Sequence, residues 1–113
     1  MTKIKKSKTK IEDFDLDKLA YAVAMAETQN CKKWFGKMYN NCFGIKNWNT
    51  VPCEKTGRLR MCIFYSPEES YKAFKIIWAK HYKRFPDYRL ASIWTGRDSA
   101  STWLKHVRSY YFN

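Results

Sequence analysis

Leu16-Asp-Lys-Leu-Ala-Tyr-Ala-Val-Ala-Met-Ala-Glu27, followed by Asn41-Cys-Phe-Gly-Ile-Lys46, is the stretch that decides the fold. Within it, Leu16, Leu19, Ala20, Val23 and Ala24 recur at helical spacing and make one apolar stripe. Glu27 comes four residues after Val23 and continues that stripe. A carboxylate there faces apolar surroundings, which costs free energy unless it keeps its proton or gains a partner. A carboxyl group placed in this way is suited to act as a general acid near neutral pH. The competing reading is a core glutamate satisfied by a nearby tyrosine or backbone amide.

Outward from this helix the punctuation is clear. Asp15 suits the N-cap, with Phe14 and Leu19 as a hydrophobic staple, and the helix is predicted to run to about Gln29. Gly36 and the pair Asn40-Asn41 predict loop and turn over residues 30–42. Residues 42–65 lack helical periodicity. Cys42-Phe-Gly-Ile-Lys46 reads as one short strand and Arg60-Met-Cys-Ile-Phe-Tyr65 as a better one, with turns at Pro52 and Gly57. Ser66-Pro-Glu-Glu69 opens a helix: Ser66 caps it, Pro67 takes its first position and Glu69 completes the capping box. Tyr71, Phe74, Trp78 and Tyr82 follow at helical spacing, with Phe74 and Trp78 as core, and the helix is predicted to stop near Phe85, before Pro86. A third helix is predicted over residues 87–94, closed by Gly96, and a last one capped by Asp98 or Ser99. That last helix carries Trp103, Leu104, Val107, Tyr110 and Tyr111 on one face. No internal repeat or linker interrupts the chain.

The 113 residues fit one domain, and 18% aromatic content is enough for a core with rings left over for a groove. The net charge of +12 favours anionic partners such as nucleic acid, acidic membranes or an anionic cell wall, without choosing among them. Lys3, Lys5, Lys6, Lys8 and Lys10 form a basic arm over residues 1–12, read as solvated chain or a solubilising tail. No apolar run is long enough to span a membrane, and no signal-peptide core is present. Delivery is therefore expected by another route or after removal of a signal.

Cys31, Cys42, Cys53 and Cys62 are even in number and lack C-x-x-C spacing, while His81 and His106 lie far downstream. Two disulfides are expected, and with them an oxidising destination. Three pairings are possible; local closure favours Cys31–Cys42 with Cys53–Cys62. No metal site and no cofactor is implied.

These residues resemble the glucosaminidase branch of the lysozyme-like superfamily, glycoside hydrolase family 73 and its relatives. There, a helix ends in the catalytic Glu and an Asn-Leu-Phe-Gly-Ile-Lys stretch follows; here Cys42 stands in place of the Leu. Arg60-Met-Cys-Ile-Phe-Tyr-Ser-Pro-Glu-Glu-Ser70 is similar to the family's next strand and helix start, and Trp94-Thr-Gly-Arg-Asp98 with Trp103, Leu104 and Val107 to its tail. The match runs over about residues 16–111. It implies an α+β, mainly helical lysozyme-like domain over residues 13–113, with a helical lobe and a short disulfide-stapled β-hairpin insertion. It further implies cleavage of β-1,4 bonds in peptidoglycan by an endo-β-N-acetylglucosaminidase. The expected partners are glycan strands and anionic wall polymers; a monomer is expected, secreted, held at the cell envelope or released by a phage at lysis.

Under this resemblance Glu27 is the proton donor. Glu54 is the one acid between Glu27 and Glu68, hence the candidate second carboxylate; otherwise it is a loop acid beside Lys55, Arg58 and Arg60. Glu68 and Glu69 have a sufficient role at a helix start. Without a second carboxylate, the substrate's acetamido group would stabilise the cation, or a lytic transglycosylase or muramidase would use Glu27 alone. Tyr39, Phe43, Trp48, Trp94 and Tyr110 are candidate sugar platforms, and Asn41, Asn47 and Asn49 candidate amide donors. Core packing or turn formation competes with contact at each. His81 and His106 read as solvated. Two readings of another kind remain: a wall-binding module without catalysis, and a non-enzymatic cationic protein acting on membranes or nucleic acid. The basic arm lacks aromatic interleaving, and no nucleic-acid-binding motif is present.

Overall fold

A computed structural model describes residues 14–46 and 52–113. The basic arm, Trp48, Asn47 and Asn49 lie outside the described residues. The first helix, α1 (Leu16–Thr28), begins where Asp15 accepts hydrogen bonds from the backbone amides of Asp17 and Lys18. It ends where Gln29 turns left-handed at φ 52°. Leu19, Ala20, Val23 and Ala24 are fully buried, so the apolar stripe is the core face. Phe14 meets Phe85 edge-on, and the Asp15 amide donates to the Tyr111 hydroxyl at 2.9 Å, which ties the start of α1 to the end of the chain.

Where loop was predicted after α1, a short helix α2 (Trp34–Tyr39) forms. It has no polar side-chain cap at Lys33, which hid it from the sequence pattern. The Cys31–Cys42 and Cys53–Cys62 disulfides are both present, in the locally closed pairing. Among the described residues the predicted hairpin is reduced to two isolated antiparallel bridges, Lys46 with Met61 and Thr56 with Cys62. A 3₁₀ turn at Arg58–Arg60, with Leu59 left-handed, replaces regular strand there. Side chains and disulfides, rather than a long ladder, hold this lobe. The Asn41 amide nitrogen donates to the carbonyls of Ile45 and Cys62, and its oxygen accepts from the Ile45 amide.

The α3 helix (Pro67–Ile77) starts as predicted, with Ser66 Oγ accepting from the Glu69 amide. It passes into a π-helical turn at Trp78–Tyr82 rather than continuing as regular helix to Phe85. α4 (Tyr88–Thr95) is capped by Asp87, and α5 (Ala100–Tyr111) follows Ser99. α5 packs against both α1 and α4. The centre is aromatic: Phe43 stacks on Phe74 at 4.4 Å, Phe74 on Trp78 at 5.3 Å, and Trp94 meets Phe74 edge-on at 5.5 Å. This stack fixes the Trp94 indole beside the end of α1. The chain is mainly helical, consistent with a small lysozyme-like domain.

Candidate active site

Glu27 sits on the last turn of α1, partly buried, and lines a cavity of about 220 Å³. Trp94 from α4 and Trp103 from α5 both donate their indole N–H to Glu27 Oε2, at 3.1 and 2.9 Å. An oxygen that accepts two N–H bonds is the carbonyl-type oxygen of a neutral carboxyl group, so the acid proton belongs on Oε1. Burial pushes the Glu27 carboxyl up to about 7, against the opposing pull of the Trp103 and Trp94 donors. The group thus holds a proton near neutral pH and can release it, as a general acid must.

The Asn41-to-Lys46 loop closes over this carboxyl group. Gly44 is left-handed at φ 72°; a Cβ there would lie 3.1 Å from the Phe35 ring and 3.8 Å from Glu27 Oε1. Glycine is needed both for the conformation and for the close approach. Thr28, next to Glu27, anchors the loop: its hydroxyl donates to the Cys42 carbonyl at 2.9 Å and accepts from the Cys31 amide at 2.8 Å. The Cys31–Cys42 disulfide crosses the same junction, where Gln29, Asn30 and Cys31 are all left-handed.

Other side chains proposed for the site fall differently. Tyr110 lines the Glu27 cavity, together with Met25, Gln29, Lys33, Trp34 and His106. Trp94 reaches the site through its bond to Glu27. Asn41 and Phe43 do not face a groove, correcting their reading as sugar contacts: Asn41 is fully buried with its amide engaged by backbone, and Phe43 is 1% exposed in the aromatic stack. Tyr39 is half-buried; its hydroxyl accepts from the Arg58 amide and its ring lies against Gly57. Glu54 is exposed and accepts from the Tyr65 hydroxyl at 3.2 Å. It lines a separate hollow of about 360 Å³ with Glu69, Lys72 and Ile76, none of which borders the Glu27 cavity. Glu54 and Glu27 therefore line different hollows.

Trp103, Trp34 and His106 join the site beyond the residues expected from sequence, and His106 is exposed, as expected. The signal was available: Trp103, His106 and Tyr110 recur three and four residues apart and share a face of α5.

The family model for Glucosaminidase, described as mannosyl-glycoprotein endo-beta-N-acetylglucosaminidase, matches residues 6–111. The chain belongs to this family. It is a glycoside hydrolase acting on peptidoglycan. Neither a curated protein nor a solved structure matches the chain. Among the described residues no helix is long and apolar enough to cross a membrane.

Proposed function

We propose that this glucosaminidase is an endo-β-N-acetylglucosaminidase of peptidoglycan in which Glu27 is the acid and then the base, and the substrate's own acetamido group is the nucleophile. The observation that carries this reading is the Glu27 carboxyl itself: held at about 7 by burial, gripped by two indoles, and alone among the acids of its cavity within the described residues.

In the first step the acetamido oxygen of the N-acetylglucosamine attacks C1. The C1–O bond to the leaving sugar breaks, and Glu27 Oε1 passes its proton to that oxygen. An oxazolinium ion and a Glu27 carboxylate result. Water then attacks C1, gives its proton to Glu27 and reopens the ring to the acetamide. Glu27 returns to its starting state and one bond has been hydrolysed. Two carboxyl groups acting directly would stand about 5–9.5 Å apart across one bond, with the shorter separations for retention and the longer for inversion. The placement of Glu54 in another hollow gives no support to that arrangement. Trp34 and Tyr110, 69% and 37% exposed, offer rings for sugar faces beside the acid. Two disulfides and a cationic surface suit work outside the reducing cytosol, at the cell wall.

The test is product analysis on purified peptidoglycan. This reading predicts fragments ending in reducing N-acetylglucosamine, released first as the β anomer. A reducing N-acetylmuramic end would make the enzyme a muramidase, and a 1,6-anhydro end a lytic transglycosylase; an initial α anomer would require a second carboxylate.

A further inference from the structure

Two basic side chains, Lys33 and His106, line the Glu27 cavity. Lys33 comes from the segment stapled by the Cys31–Cys42 disulfide, and His106 from α5, one turn after Trp103. Both side chains are exposed, and among the described residues neither enters a salt bridge. Nor do they act on the acid: burial and the two indoles account for the raised Glu27 carboxyl. Among the described residues the one carboxyl group on the cavity wall is thus already provided for, while a lysine and an imidazole remain beside it. Trp34 and Tyr110, from the same two segments, line this cavity with them.

We infer that Lys33 and His106 bind a carboxylate carried by the glycan and thereby select an acidic glycan over a neutral one. Resting on the proposed function, this names the specificity determinant of the same site. A chain of N-acetylglucosamine alone carries no charge at any sugar. Peptidoglycan carries a lactyl ether on every second sugar, ending in a free carboxylate or in a stem peptide with its own carboxylates. A lysine ammonium and an imidazole N–H are both donors to such a group. Trp34 and Tyr110 would hold the sugar ring, which is common to both kinds of glycan, so charge recognition falls to Lys33 and His106.

The experiment uses the full chain carrying Glu27→Gln, so that ligands bind without cleavage. It measures affinity for a tetrasaccharide of alternating N-acetylglucosamine and N-acetylmuramic acid, for its lactyl methyl ester, and for the same glycan bearing stem peptides. The acid should bind about tenfold tighter than the ester, the size of one to two charge-assisted hydrogen bonds at a half-open site. That ratio should shrink with added salt. Lys33→Met and His106→Gln should each reduce it, and together bring it close to one. Tight binding confined to the stem-bearing glycan would place the recognised carboxylate on the peptide; tight binding of the stem-free acid places it on the lactyl group. Equal affinity for acid, ester and stem-bearing glycan overturns the inference and leaves the glycan site standing. A preference that survives in the double variant also overturns it. Failure to bind any of the three overturns the glycan reading together with this inference.

Discussion

Trp103 on α5 donates its indole N–H to Glu27 Oε2 on α1 at 2.9 Å, across 76 residues of sequence. Packing of the first helix against the last therefore sets both the orientation and the acidity of one carboxyl group. The donor favours the charged carboxylate, so its loss should raise the Glu27 pKa further above 7. Trp103→Phe keeps most of the buried ring and removes the N–H. Its alkaline limb in a pH profile of kcat/KM should move to higher pH, with activity at the optimum down about tenfold from lost orientation. An unchanged profile would remove Trp103 from the proton-transfer machinery.

Glu27 should also leave a mark on stability. Its folded pKa of about 7 exceeds the ordinary 4.5, so the folded protein binds more protons than the unfolded chain between these values. Stability should then fall as pH rises from about 4.5 to about 7 and stay lower above. The cost is on the order of 2–4 kcal/mol when the group is fully ionised. Glu27→Gln should raise the unfolding midpoint at pH 8 by several degrees and change it little at pH 4. Equal shifts at both pH values would contradict the burial assigned to this carboxyl group.

Gly44 is where the loop meets the acid. Gly44→Ala must hold a side chain at φ 72° and press on the Phe35 ring at 3.1 Å. Denaturant unfolding should show a loss of about 1–3 kcal/mol, and turnover should fall because the strained loop shifts beside Glu27. A variant as stable and active as the parent would show that the loop does not approach Glu27 as described.

Glu54 should matter little. Its partner is the Tyr65 hydroxyl in a hollow apart from the Glu27 cavity. Glu54→Gln should keep kcat on peptidoglycan within about threefold, because a solvated acid outside the site supplies no catalytic group. A fall of a hundredfold or more would restore it as the second carboxylate.

Much of this was legible in the chain. Asp15 and Ser66 cap their helices with the bonds their residue types predict, and the stripe from Leu19 to Ala24 is the buried face. The position of Glu27 four residues beyond Val23 already announced a buried acid. The Asn41-to-Lys46 motif was harder. Its Asn and Phe look like ligand contacts as residue types, yet the Asn41 amide closes its own loop and Phe43 fills the aromatic stack. Local pattern does not distinguish an amide saturated by its own backbone from one aimed at a sugar. The hairpin was overdrawn because β-branched and aromatic content reports a half-buried surface, and here disulfides and the Asn41 bonds replace the ladder. The Trp103 contact was illegible for another reason: it joins elements 76 residues apart, and periodicity carries no information on which helices pack.

The most direct test of the central claim is turnover of purified peptidoglycan by Glu27→Gln, with circular dichroism to confirm the fold. Glutamine keeps the shape and an oxygen for the two indoles but has no acid proton to give. The account predicts a fall in kcat of about 10²–10⁴-fold at neutral pH in a protein at least as stable as the parent. Wall cleavage at the parental rate by this folded variant would contradict it.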